Sequence, residues 1–329
     1  MADRHYANQL RTQNHDAATV YRGFSRIAKM EYDGAGENMV GEELYGEDDL
    51  SQDGLHHEVY FRTGLQGQAA LRPDNVRQRY PMAAYRTASI IIHGYDRIGI
   101  AHEYYPEDLE DNLPGFEFIA GMASELPVLQ RDTEEDLHFR LFNEGLTRVV
   151  GFAQTPLFVD GVNDQLQLVG NPDYFTGTAA SNIINGGGVS YAMMHQAMQY
   201  GQNFINEEGR PQAIEIDMMV GRPQNIDLVE MYLQHASNIE NFDPSRPNPA
   251  AGMRGVKLLR TQRLANPNDL IIFYKGWQNH IKMRVKYQGR TDTWEEGHAQ
   301  YRKIVTQVRS RLGYYAYNNR LVVLMRGAA

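Results

Sequence analysis

Hydrophobic and polar positions change period several times along this 329-residue chain, and each change marks an element. Residues 57–64 (HEVYFRTG), 82–94 (MAAYRTASIIIHG) and 97–105 (RIGIAHEYY) are short stretches rich in β-branched and aromatic residues, which predicts strands. Between the first two lies GLQGQAALRPDNVRQRYP, polar and turn-rich. It predicts a long hairpin with a projecting tip that carries Arg72, Arg77 and Arg79. A helical region follows. Residues 106–125 open with PEDLED, acids suited to a helix N-terminus, and Pro127 should interrupt the helix. Asp132 and Glu135 have capping-box spacing, and Leu137, Leu141, Phe142, Leu146 and Val149/Val150 form one apolar stripe. That pattern predicts a helix of about 19 residues, ~28 Å long, ending at Gly151.

Residues 152–180 read as loops and short strands, with a turn at Asp160-Gly161. Ser190 should cap a helix that places Met193, Met194, Ala197, Met198, Gly201 and Ile205 on one face, stopped at 207–211 (EEGRP). AIEIDMMV (213–220) alternates as a strand, and Asn225 should cap a helix through about Gln234. DPSRPNPAAGMRG (243–255) reads as a Pro-rich loop. In IKMRVKY, Ile281, Met283, Val285 and Tyr287 alternate with Lys282, Arg284 and Lys286. TWEE (293–296) has capping-box form and predicts a helical turn; 303–317 and 320–326 read as two strands joined near Asn318-Asn319.

Residues 1–58 contain no Pro and few large apolar side chains. Residues 16–30 (DAATVYRGFSRIAKM) can form a short amphipathic helix, but the rest buries too little to fold alone and reads as an arm that needs a partner surface. Charge sharpens this picture. Residues 31–58 hold ten acids, including Glu42, Glu43, Asp48 and Asp49, and no Lys or Arg, whereas 254–329 hold 15 basic residues against four acids. Net charge is -9, so the remaining residues are strongly acidic. Such asymmetry suits the acidic arm of one copy meeting the basic end of another; it also suits a nucleic-acid patch on an acidic body, or an acidic solvated loop beside an unrelated basic sheet. The basic residues are 26 Arg and six Lys, with no Lys between Lys29 and Lys257, and Arg is the usual interface cation.

Chemistry is sparse. With no cysteine there are no disulfides, thiol nucleophiles or cysteine-built zinc sites. Gly186-Gly187-Gly188 precedes a helix but lacks the Lys-Ser/Thr of a phosphate loop. His56-His57-Glu58 and His102-Glu103 do not complete H-E-x-x-H, since position 106 is proline. There is no G-x-S-x-G elbow. The acids at 107–111 and 132–136 sit at predicted helix starts, where the helix dipole accounts for them. No apolar run approaches the ~18 residues of a membrane span, and MADRHYANQL is no secretory signal, so a soluble, intracellular protein is expected. The absence of a coherent active site points to a structural role without catalysis, cofactor or metal.

The order of parts (polar arm, projecting hairpin, long helix, α/β unit, basic β-rich end) resembles the major capsid proteins of tailed bacteriophages, a fold shared with herpesvirus capsid floors and encapsulins. The resemblance is carried by residues 178–234, where SYAMMHQAMQYGQNF, EEGRP, AIEIDMMV and NIDLVEMYLQH succeed one another, and by the ending KIVTQVRSRLGYY then RLVVLMRG. It implies an α+β fold with an N-terminal arm (1–55), an extended β-hairpin loop with flanking strands (56–105), a peripheral domain with a long spine helix (106–155), an α/β axial domain (156–275) and a return to the peripheral sheet (276–329). It also implies hexamers and pentamers in an icosahedral head around double-stranded DNA, assembled in the host bacterial cytoplasm, with no membrane. A scaffolding protein or protease, a portal and cement proteins would be partners, and DNA contact would be non-specific. Arg72, Arg77, Arg79, Glu42, Glu43, Asp48, Asp49, Lys282, Arg284 and Lys286 are candidate inter-subunit contacts. Some members cross-link through a loop-borne Lys, which this sequence lacks, so a non-covalent shell is expected by that route. The alternatives are an encapsulin-like compartment shell, a metal-dependent α/β enzyme using His57, Glu58 and His102, and a nucleic-acid-binding protein using the basic C-terminal sheet.

Overall fold

The computed structural model describes residues 17–36, 39–48, 57–66, 84–93, 95–105, 115–147, 157–158, 182–186, 188–204, 212–234, 237–238, 243–247, 253, 255–298, 301–316 and 320–327. The chain divides into two compact units, each assembled from separated stretches: 1–53, 95–138 and 283–313 in the first, 54–94, 139–282 and 314–329 in the second.

In the first unit, helix α1 (Ala17–Gly36) leads through a 3-10 turn (Gly41–Leu44) to strand β1 (Gly46–Asp48). Strands β2 (His57–Gln66) and β3 (Ala84–His93), which the second unit includes, pair antiparallel as the hairpin that their alternation predicts. Its tip at 67–83 lies outside the described residues. Strand β4 (Asp96–Tyr104) returns to the first unit, and helix α2 (Gly115–Asn143) runs from that unit into the second. Two long strands, β11 (Ile281–His298) and β12 (Tyr301–Ala316), complete a sheet in the order β1-β11-β12-β4. One face of that sheet carries both helices: Phe24 and Ala28 of α1, and Ala123 and Leu126 of α2, pack with Ile304 and Val308 of β12. The predicted amphipathic helix thus finds its apolar partner within its own chain.

Two expectations for the helical region change. Pro127 lies inside α2 without ending it, and the helix stops at Asn143, well before Gly151. Buried residues recur at 123, 126, 127, 130, 131, 134, 135 and 138, a stripe of helical spacing that passes straight through the proline. Packing along that face outweighs the ~3 kcal/mol that an interior proline costs. Pro127→Ala restores an N–H donor to Ala123 and is expected to raise stability by about 1 kcal/mol, after the loss of proline's restriction on the unfolded chain. A denaturant midpoint shifted downward instead would show that the proline ring is needed for packing.

The second unit holds a five-stranded sheet built from β5 (Ile183–Asn185), β6 (Ile216–Gly221), β9 (Lys257–Arg260), β10 (Leu270–Tyr274) and β13 (Val322–Arg326). The order is β5-β13-β10-β6-β9; β10 is antiparallel to both neighbours, and the outer pairs are parallel. Helix α3 (Tyr191–Gln202) begins at Ser190, whose hydroxyl accepts from the Met193 N–H at 3.3 Å, and it buries Met193, Met194, Ala197 and Gly201 as predicted. Met198 is half-buried, and Ile205 and 207–211 lie outside the described residues. Helix α4 (Pro223–Gln234) starts at Pro223, a residue suited to a first helical turn. Asn225 is therefore inside the helix rather than its cap. Its amide donates to the carbonyls of Pro267 (2.9 Å) and Asp269 (3.3 Å), pinning that turn.

Other corrections follow from strand pairing. Part of the expected Pro-rich loop forms strand β8 (Asp243–Pro247), paired with β7 (Ser237–Asn238). TWEE continues β11 instead of starting a helical turn, since an extended ladder beside β12 satisfies more backbone groups than one isolated turn. The last strand, β13, joins the second unit's sheet beside β10, not the sheet that holds β12, so 276–329 is split between the units. The expected turns at Asp160-Gly161 and Asn318-Asn319 lie outside the described residues.

Candidate functional site

Among the described residues, the densest concentration of buried charge lies in the first unit, where four segments meet: α1, the 3-10 turn, α2 and β11. Helix α2 supplies Gln130, Arg131, Glu134, Glu135 and His138, all buried, on the stripe that elsewhere holds apolar residues. Glu134 is fully buried and is satisfied from four sides. It accepts from the Tyr32 hydroxyl, from Gln130 Nε2 (3.0 Å), from Arg131 Nη1 (3.3 Å) and from Gln288 Nε2 of β11 (3.4 Å). Arg131 also pairs with Glu42 at 2.5 Å, donates to the Tyr32 oxygen at 3.2 Å and lies over the Tyr32 ring. Gln288 donates to Glu42 as well, at 2.6 Å.

Glu135 does not cap α2, as its spacing with Asp132 predicts; it caps another element. Its carboxylate accepts the N–H groups of Val40 (3.1 Å) and Gly41 (3.0 Å) at the start of the 3-10 turn, donors with no partner inside that turn. Gly41 is required by close approach, because a Cβ there would lie 2.5 Å from Glu135 Oε2 and 2.6 Å from His138 Cβ. The Tyr45 hydroxyl donates to the His138 carbonyl at 2.6 Å and closes the turn onto α2.

Electrostatics follow burial. Burial raises the Tyr32 phenol, and Glu134 beside it raises it further, so Tyr32 stays a donor. Burial disfavours the charge of Arg131, but Tyr32, Glu42 and Glu134 together hold it firmly protonated. For Glu42, burial works against ionisation, yet the hydrogen bond and charge of Arg131 hold the carboxyl below its ordinary value. Burial pushes His138 down to about 4; Glu42 and Glu134 pull it upward, and Arg131 reinforces the depression. His138 is therefore neutral near pH 7.

The sign of the His138 effect is fixed. Between pH ~6.5 and ~4 the unfolded chain takes up a proton that the folded chain refuses, so stability falls as pH falls, by about 3 kcal/mol across the window. Glu42 adds a separate loss below its ordinary carboxylate range. His138→Gln is expected to flatten the upper window only. Urea unfolding at stepped pH measures this; a variant with the parental slope would assign the acid sensitivity to other groups.

The sequence-predicted contacts fare unequally. Glu42 is engaged inside its own unit, and Arg284 is 3% exposed. Glu43 is exposed on the 3-10 turn, Asp48 lies on β1, and Lys282 and Lys286 are half-buried on β11. Arg72, Arg77, Arg79 and Asp49 lie outside the described residues. Of the fragments resembling metal motifs, His57 and Glu58 are on β2, His102 and Glu103 are on β4, and Glu103 pairs with Lys303 at 3.0 Å. Among the described residues no three metal-ligating side chains converge.

No protein-family model matches the chain, and no curated protein matches it in sequence. Solved structures do match. One from Mycobacterium phage Patience is 12% identical with a TM-score of 0.52, over 94% of this chain and 88% of that one. The capsid of a native GTA particle gives 9% identity and 0.52, over 88% and 91%. The chain has the phage capsid fold. The capsid of Cyanophage P-SCSP1u gives the same result, with 11% identity and a TM-score of 0.51 over 88% of each chain. At these identities the shared property is the capsid fold, an α+β architecture matched over 88–94% of the chain.

Proposed function

We propose that this chain is the major capsid protein of a tailed bacteriophage, a non-enzymatic structural subunit that assembles as hexamers and pentamers into an icosahedral head around double-stranded DNA. The observation that carries this reading is the extent of the capsid fold, which spans about nine-tenths of this chain and of the capsid chains it matches. The charge pattern supports it. An acidic body neutralises few phosphates, so packaged DNA meets the lining without adhering to it.

In this reading the unit with α1, α2 and the four-stranded sheet serves as the peripheral domain with its spine helix. The unit with the five-stranded sheet and helices α3 and α4 serves as the axial domain at the vertices. The β2–β3 hairpin is the extended loop. Its tip arginines, Arg72, Arg77 and Arg79, meet acids of a neighbouring arm, and reversing all three charges is expected to block assembly. The buried junction moors the helix of the expected arm to its own subunit. A scaffolding protein or protease, a portal and cement proteins are the proposed partners, and the virion is the proposed location.

Sedimentation of the recombinant protein through a gradient tests the proposal. Fast-sedimenting particles that dissociate to single 37.5 kDa chains on a denaturing gel are expected. A stable monomer with an ordered N-terminal segment would contradict the shell reading, and covalent ladders would contradict the non-covalent one.

A further inference from the structure

Strand β4 is the outermost strand of the first unit's sheet, and its outer side has no backbone partner among the described residues. It is nine residues long, pairs with β12 in unbroken register and contains neither proline nor lysine. The other sheet edges among the described residues are short or interrupted. Strands β1 and β5 have three residues and β9 has four, β8 carries two prolines, and β2 and β3 are broken by bulges. Folded proteins blunt their edges by such devices, and an edge without them is a template for another strand.

The side chains select the strand that fits. Arg97, Gly99, Ala101 and Glu103 alternate along one face and are exposed. Ile98, Ile100 and His102 are half-buried on the other face, where Ile100 packs against the core formed with the helices. Charge is divided along the exposed face. Arg97 stands opposite Arg311 in the β4–β12 register, and neither has a carboxylate partner among the described residues. At the far end Lys303 is shared by Glu103 and Glu296, both at 3.0 Å, so carboxylates outnumber cations there. One end of the edge is basic and the other acidic, so the edge complements itself when reversed.

Reversal allows few registers. Antiparallel strands must present outward backbone groups to each other, so a two-fold pairing of β4 with itself centres on a residue and not between two. Centring on Ile100, the middle of 96–104, pairs all nine residues. That register sets Arg97 opposite Glu103 of the second copy, twice by symmetry, with Gly99 opposite Ala101 and Ile100 opposite itself. Centring on Gly99 or Ala101 instead places Arg97 opposite Ala101 or Tyr105 and loses both charge pairs.

We propose that β4 pairs with β4 of a second copy about a two-fold axis at Ile100, joining two four-stranded sheets into one of eight strands. The contact is isologous and closes on itself. It goes beyond the shell reading and rests on it only in placing the pair on two-fold axes between capsomers.

Because the chain has no cysteine, a single introduced thiol reports the register. Residues directly opposite lie about 5 Å apart between Cα atoms, within reach of a disulfide, whereas two copies of residue 101 would be roughly 8 Å apart and out of reach. Under mild oxidation the full-length I100C chain is expected to form a covalent dimer on a non-reducing gel, and A101C at least tenfold less, although position 101 is the more exposed. R97E or E103R added to I100C should lower the dimer yield at least tenfold, and R97E/E103R together should restore it. Circular dichroism melts identify any variant that fails to fold. Absence of the I100C dimer overturns the contact, as does equal cross-linking at 101 or a yield that R97E leaves unchanged. Sedimentation reads the shell separately. Particles without the I100C dimer leave the shell reading standing and end the edge contact; a cross-linked dimer that never forms particles sustains the contact and ends the shell reading.

Discussion

Arg131→Ala is expected to destabilise the first unit by about 3–5 kcal/mol, because it strands Glu134 in a fully buried site without its cation. The loss should exceed anything available from an exposed ion pair such as Arg140–Glu144, worth about 1 kcal/mol or less. The pair rather than the positive charge alone sets the cost. Arg131→Met combined with Glu134→Gln removes both charges, keeps an acceptor for the Tyr32 hydroxyl and should recover most of the loss. Denaturant midpoints of the two variants measure the difference. Equal destabilisation by both would mean that Arg131 acts through packing over the Tyr32 ring rather than through charge. The same variant bears on the N-terminal helix, since Tyr32 and Glu42 reach α2 through Arg131. Protease cleavage within 37–46 should accelerate in Arg131→Ala if the junction is what moors this stretch.

A loss of similar size, about 3–5 kcal/mol, is expected for Phe273→Ala in the second unit. Phe273 is fully buried on β10 between β13 and β6, in register with Val322 and Met218. Its ring meets Phe142 edge-on at 5.6 Å and Trp277 at 4.8 Å. Removing it opens a cavity under three elements at once, and a β-sheet held from both sides has little freedom to collapse into the space. Phe273→Leu should cost no more than about 1.5 kcal/mol. Calorimetry separates the two, and an alanine variant as mild as the leucine one would place the unit's critical packing elsewhere.

Much of the fold was legible because local pattern and tertiary outcome agree. The Ser190 cap and the Met-rich face of α3 follow from residues a few positions apart, and the β2–β3 pairing from two β-rich runs that are neighbours in sequence. What was not legible depends on distance along the chain. Glu42 and Arg131 are separated by 89 residues, and Gln288 lies 246 residues from Glu42, so no local period links them. The acids at 132–136 read as a helix start because Pro127 is expected to end the preceding helix. Once the helix is continuous, Glu134 and Glu135 fall on its buried stripe. One signal was available: Gln130, Arg131, Glu134 and His138 keep the helical spacing of the apolar residues on either side, which marks a polar interruption of a core face. Arg284 misled for the opposite reason. Alternation set it apart from the apolar side of β11, on a solvated or subunit-facing side, yet it is 3% exposed within its own chain. The split of β12 and β13 between two sheets was likewise invisible, since adjacent strands in sequence usually pair.

The most direct test of the central claim is cryo-electron microscopy of the purified recombinant chain, co-expressed with a scaffolding protein if it does not assemble unaided. The capsid account predicts closed or partly closed shells with fivefold and sixfold clusters, the unit holding α3 and α4 at their centres and the unit holding α2 at their rims. A discrete small oligomer, unchanged under every assembly condition, would contradict it.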